Sequence, residues 1–175
     1  EKLLMAKNNL CNKETGKALA TMLASNTTLK ELDLSDNRGT EAYDGPGFAQ
    51  ELADGIKNNG ALEKLLMHLN DIEDAEAGKA LGDALAANTM LKELDLSYNY
   101  SGPEFAKEFA IGLGTNGALV SVNILNNDIG TAQAQNFVTI LEAHVTLKSL
   151  CGNKGDETEL DMSGKNMGAD GAMML

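Results

Sequence analysis

The sequence predicts an α/β solenoid built from stacked repeats, and three observations carry that expectation. The spacing Leu-x-x-Leu-x-Leu-x-x-Asn recurs along the chain. Leu29-Leu32-Leu34-Asn37 and Leu91-Leu94-Leu96-Asn99 keep it outright, while Leu62-Leu65-Met67-Asn70 and Leu119-Val122-Ile124-Asn127 vary it conservatively. A period of roughly 28 to 33 residues marks an array whose units are stable only when stacked on their neighbours. A helix-patterned stretch follows each copy. The chain also duplicates itself over a longer range, residues 1–62 resembling residues 63–119. EKLLM opens both halves, GKAL follows at Gly16 and Gly78, LKELDLS recurs at Leu29 and Leu91, and GPGFAQEL at Gly45 answers GPEFAKEF at Gly102. The first half is longer because Arg38 to Asp44 stands where the second has only Tyr100-Ser101, which makes that position a surface loop.

The elements can be placed in order. Short strands are expected near 2–6, 31–35, 64–68, 93–97 and 121–125, and helices near 14–25, 46–58, 75–87, 103–115 and 131–143. Two apolar sets, Leu19, Leu52, Leu81, Phe109, Phe137 and Leu23, Ile56, Leu85, Leu113, Leu141, sit four residues apart and share one helical face. A third set is small (Gly16, Ala49, Gly78, Ala106, Ala134), which lets helix and strand layers approach closely. Pro46 and Pro103 fall where a first-turn proline is tolerated. Asn26, Asn59, Asn88 and Asn116, three residues before each strand, are placed as left-handed helix stops.

The pattern breaks after the fifth helix, in an irregular repeat over 147–168. Leu147 and Leu150 arrive on schedule, yet Leu160, Met162 and Met167 match Val122, Ile124 and Ile129 equally well. Either the polar run CGNKGDETE interrupts a sixth strand, or the ladder strand is Glu159–Ser163 with Lys148–Cys151 as a lead-in. We adopt two short extended pieces flanking a loop; Lys165, standing where the consensus asparagine is due, implies a different turn. Neither end carries the polar outer face of a cap. Residues 1–175 are therefore expected to be one solenoid of about six repeats and a fragment of a longer array, the alternative being end-to-end self-association through uncapped termini.

Formal net charge is −12 and Arg38 is the single arginine. That balance disfavours nucleic acid and anionic membrane surfaces and favours a neutral or cationic protein partner. No apolar run approaches the ~18 to 20 residues of a membrane span. Cys11 and Cys151 lie several repeats apart, so two unpaired thiols point to a reducing, cytoplasmic compartment. The glycosylation patterns at Asn26 and Asn99 are read as chance matches, since Asn99 is a repeat asparagine facing inward. His68 and His144 are far apart and lack metal-ligand spacing, DNRGTEAYDG lacks EF-hand spacing, and no phosphate loop or activated nucleophile is evident. No catalytic residue, metal or cofactor is expected.

These repeats resemble the leucine-rich repeats of the ribonuclease-inhibitor type, a group including ribonuclease inhibitor, NOD-like receptor sensor ends, the Ran GTPase-activating protein and the tropomodulin C-terminal domain. The resemblance covers nearly the whole chain. It implies a right-handed horseshoe with parallel strands on the concave face and helices on the convex face. It says little about function, because the relatives share a scaffold rather than a chemistry.

Alternate strand residues point away from the core and form the concave face. The third positions are Lys2, Glu31, Lys64, Glu93, Ser121 and Ser149, and the fifth are Leu4, Asp33, Leu66, Asp95, Asn123 and Cys151. The seventh are Ala6, Ser35, His68, Ser97 and Leu125. The Lys/Glu alternation is either mutual neutralisation, at ~0 to 1 kcal/mol per pair, or a charge-patterned dock with Asp33 and Asp95 left unpaired for a cationic partner. Leu66 and Leu125, as exposed apolar residues near Tyr98 and Tyr100, either form an interface anchor or are scattered surface residues. Asn8, Asn37, Asn70, Asn99 and Asn127 are assigned to the scaffold, where an amide both donates to and accepts from turning backbone. The functional expectation is a non-enzymatic scaffold binding a protein through the concave sheet and strand-end loops. The alternatives are a GTPase-activating role centred on Arg38, or a structural segment of a larger receptor.

Overall fold

The computed structural model describes residues 1–38 and 44–175. Strands and helices alternate along the chain: β1 (Lys2–Leu4), α1 (Lys13–Ser25), β2 (Glu31–Asp33), α2 (Gly45–Asn58), β3 (Lys64–Leu66) and α3 (Ala75–Ala87), then β4 (Glu93–Asp95), α4 (Pro103–Thr115), β5 (Ser121–Asn123), α5 (Thr131–Ala143) and α6 (Gly168–Met173). The five strands form one parallel sheet in sequence order. Third position pairs with third throughout, Lys2 with Glu31, Glu31 with Lys64, Lys64 with Glu93 and Glu93 with Ser121. The fold is an α/β solenoid.

The helices lie where their apolar spacing places them. The strands are shorter than expected, each three residues long. After β2 and β4 a side chain takes the N–H two residues on: Asp33 Oδ1 accepts from the Ser35 N–H, and Asp95 Oδ1 from the Ser97 N–H, each at 2.9 Å. Backbone bonding continues past each end, Met5 N–H donating to Asp33 O and Lys7 N–H to Ser35 O. The next residue turns left-handed at every coil, with φ of 62° at Lys7, 52° at Asp36, 60° at Leu69, 57° at Tyr98 and 58° at Asn126. This turn delivers the repeat asparagine inward.

The core is a continuous seam of strand and helix side chains. Leu32, Leu65 and Val122 are wholly buried, as are Leu23, Leu52 and Phe109 from the helices. Phe105, Phe109 and Phe137 extend the seam aromatically, with ring centroids 5.7 and 6.4 Å apart. Two of the small positions serve a different purpose from the one expected. A Cβ at Gly16 would lie 2.5 Å from Phe48 O, and one at Gly78 would lie 2.4 Å from Phe105 O. Both glycines therefore face the next helix, and their smallness sets helix–helix rather than helix–strand distance.

Two side-chain ladders run the length of the stack. In the first, Asn37 Nδ2 donates to Met5 O and Leu34 O at 2.8 and 2.9 Å, and its Oδ1 accepts from Asn8 N–H at 2.7 Å. Asn70 Oδ1 accepts from Asn37 N–H, Asn99 Oδ1 from Asn70 N–H, and Asn127 Oδ1 from Asn99 N–H. Asn8 bonds locally to Met5 O and Ala6 O. In the second ladder, Asn59, Asn88 and Asn116 donate Nδ2 to helix-end carbonyls of the preceding coil: Leu23 O, Ile56 O and Leu85 O. The same residues accept with Oδ1 from Leu62, Leu91 and Leu119 N–H. His144 fills the fifth place, Nδ1 accepting from Leu147 N–H at 3.0 Å while Nε2 lies 3.2 Å from Leu113 O, the arrangement of a ring carrying its proton on Nε2.

The second ladder corrects the expectation of left-handed helix stops. Asn26, Asn59, Asn88 and Asn116 have φ between −84° and −67° with extended ψ. From Asn59 onward the asparagine is there because its amide reaches the neighbouring coil, which a backbone turn cannot do.

The irregular region resolves in favour of Lys148–Cys151 as the sixth rung. Ser149 bridges Ser121 in parallel, and Val122 and Ile124 N–H donate to Ser149 O and Leu150 O. Glu159–Ser163 forms no strand. It keeps only a local turn, in which Asp161 Oδ1 accepts from Ser163 N–H. The short helix α6 packs on α5, where Thr131 Oγ1 donates to Asp170 Oδ1 at 3.0 Å.

Candidate functional site: the open face of the sheet

With helices covering one side, the other side of the sheet presents the third and fifth positions, while the residue between them is buried in β2, β3 and β4. Along the third positions Lys2 Nζ meets Glu31 Oε2 at 2.6 Å and Lys64 Nζ meets Glu93 Oε2 at 3.1 Å. The row is thus paired across neighbouring strands. Glu93 also receives Lys154 Nζ on its other oxygen at 3.1 Å. Partial burial alone would raise the Glu93 carboxyl, but the Lys154 and Lys64 ammonium groups outweigh it and hold it below the usual carboxylate range.

Asp33 and Asp95 are not left without partners, as the spacing suggested. Each spends one oxygen on the serine two residues later, whose hydroxyl also donates, at 2.5 Å for Ser35 and 2.7 Å for Ser97. The Asp-x-Ser spacing was a readable signal for this turn. Asp95 Oδ2 additionally accepts from Asn123 Nδ2 at 3.2 Å and lies 3.9 Å from His68 Nδ1. Neither aspartate forms an ion pair with lysine or arginine among the described residues. A carboxylate charge therefore remains at each site even though its geometry is fixed.

Six expected face residues are not exposed: Ser35 and Ser97, buried, turn onto the Asp33 and Asp95 carboxylates, and four more lie at the β5 end. Ser121, Ser149, Cys151 and Leu125 are all buried, Leu125 being 2% accessible. The reason is the chain after the sixth rung, which folds back across this end of the sheet. A Cβ on Gly171 would sit 3.0 Å from Leu125 Cδ2, and Cys151 Sγ donates to Met174 O at 3.6 Å. The anchor patch of Leu66, Leu125, Tyr98 and Tyr100 is accordingly not assembled as one exposed surface. Leu125 and Tyr98 border a hollow of about 370 Å³ with His68, Asp95, Asn123 and Lys165. Leu66 borders a second, of about 240 Å³, with Lys64, Glu93, Asp95, Asn123 and Lys165. Tyr100, 56% exposed, turns to a third place beside Asn127 and Met167.

Arg38 lies on the strand-end rim with Nε 3.8 Å from Asp36 Oδ1 and Nη1 3.7 Å from Asp71 Oδ1. Most of the loop that follows, 39–43, is outside the described residues. The thiols are not poised for chemistry. Burial first, then Asp71 and Asp44, push Cys11 up to about 12, and burial pushes Cys151 up to about 11.

Two segments, residues 25–38 and 87–99, match the family model described as Leucine Rich repeat. They contain the second and fourth strands together with their ladder asparagines, so these two coils carry that repeat, and the α/β solenoid is consistent with an array of them. A comparison with curated proteins finds no match to the chain. Repeats of this kind commonly mediate protein–protein interaction through the sheet surface that stacking creates. No helix among the described residues is long and apolar enough to cross a membrane.

Proposed function

We propose that this chain is a protein-interaction scaffold of the ribonuclease-inhibitor type, which binds a cationic segment of a protein partner along its concave face. The residues assigned to contact are Glu31, Asp33, Lys64, Leu66, His68, Glu93, Asp95 and Asn123, with Tyr98 on the strand-end rim. The supporting observation is the pair of carboxylates at Asp33 and Asp95. Their turns hold them in fixed orientation at equivalent places two strands apart, while the neighbouring Lys/Glu row is already neutralised. Fixed, uncompensated charge gives a surface its sign and steers an oppositely charged partner.

The test exchanges charge for shape. Asp33→Asn with Asp95→Asn keeps an oxygen for each serine turn and removes both charges. Once a partner has been captured by the immobilised chain, its affinity for this variant should fall about ten-fold, with the melting temperature little changed. Undiminished affinity would move the site off this face.

A further inference from the structure

The β4–β5 end of the proposed binding face already carries an occupant from the same chain. After Cys151 the backbone turns at Gly152 and Gly155, with φ of 84° and 78°, and leaves the stack. It first crosses back over β4, where Lys154 Nζ meets Glu93 Oε1 at 3.1 Å. It returns beside β5, where Asn126 Nδ2 donates to Lys165 O at 2.8 Å, and Lys165 borders both hollows on the open face. Gly164 and Gly168, with φ of 69° and 62°, turn it away into α6. Residues 154–161 are all exposed, Leu160 included at 45%. Between the glycine turns only Met162 is partly buried against the core, and Met167 packs there just before α6. The stretch is held by one solvent-exposed ion pair, a few hydrogen bonds and the partial burial of Met162 and Met167, which is a weak attachment. Left-handed glycines at both ends let it swing without strain on a side chain.

We propose, on the strength of the concave-face reading above, that residues 152–167 are a displaceable cover: a lysine-bearing segment of a partner gains the β4–β5 half of the face by replacing Lys154 at Glu93 and displacing Lys165 from the hollows that Asp95 also lines. The cover acts as an intramolecular competitor, lowering affinity until it is displaced. It also states the partner's chemistry in miniature, since the contact it makes with the face is an ammonium on a carboxylate.

The probe is the hexapeptide of lysine, titrated calorimetrically into the full chain at low ionic strength, where ion pairs are least screened. Lys154→Ala with Lys165→Ala removes the ion pair at Glu93 and the second ammonium that borders the two hollows. Lys17→Ala with Lys107→Ala makes the same change in net charge on exposed helix positions. The cover variant should bind hexalysine roughly five-fold more tightly than the helix variant. Equal affinities for the two variants would overturn the cover, while the concave-face reading would survive if Asp33→Asn with Asp95→Asn still weakens hexalysine binding. If that aspartate pair has no effect in either background, or no variant binds at all, the concave-face reading falls and the cover falls with it. All four lysines are exposed, so melting curves should coincide and confirm that each variant is folded.

Discussion

Residues 29–119 and residues 147–175 carry the same kind of leucine spacing, yet only the first stretch turns it into regular coils. In the regular part each strand end is followed by an asparagine whose amide ties its own coil to the one before, as Asn70 does with Leu34 O at 2.8 Å. Counting the same eight residues from Leu147 gives Gly155, which has no amide to contribute and adopts φ of 78°. The ladder ends at Asn127 and the chain departs. The comparison teaches that leucines fill the seam but the asparagines keep the coil closed, because turning backbone buried beside a neighbour must find hydrogen-bond partners.

The comparison breaks most visibly at a leucine. Leu94→Ala should cost about 2 to 5 kcal/mol, since Leu94 is 3% exposed and neighbouring coils cannot collapse into the cavity. Leu160→Ala, at the matching place in the alternative register, should change stability by less than about 0.5 kcal/mol. Chemical denaturation of both variants measures the contrast, and a mild Leu94→Ala together with a severe Leu160→Ala would restore Glu159–Ser163 as the sixth strand.

A smaller effect sharpens the role of the amides. Asn99→Ala removes donors to Met67 O and Leu96 O and the acceptor for Asn70 N–H, all buried, and should cost about 1 to 3 kcal/mol. Asn166→Ala, at an exposed left-handed residue outside the ladder, should cost less than about 1 kcal/mol, most of it from φ of 49°. Comparable losses at the two sites would show that the ladder is decorative.

Much of the scaffold was legible because its causes are local and repeat. Leu32, Leu65 and Leu94 could be placed from spacing alone, and Leu19, Leu52 and Leu81 fixed the helix faces. The site was less legible. Leu125 and Cys151 occupy positions that alternate outward from the sheet, and contacts with Gly171 and Met174, far along the chain, help bury them. Nothing in local spacing carries that information. The asparagines before each strand show a different limit. Their position implied a helix stop, but their amides act between coils, a non-local use that leaves the same residue type at the same spacing. Asp33 and Asp95 were legible in part: the serine two residues on was available as a sign that one oxygen was committed.

Amide hydrogen exchange along the whole chain tests the central claim most directly, that inter-coil ladders close the regular coils and that their absence frees the last one. The backbone N–H groups of Asn37, Asn70 and Asn99, each donating to the next coil's asparagine, should be protected to near the global unfolding limit, while those of residues 158–161 exchange at close to unstructured rates. Ladder amides exchanging as fast as residues 158–161, or protection spread evenly across both, would contradict it.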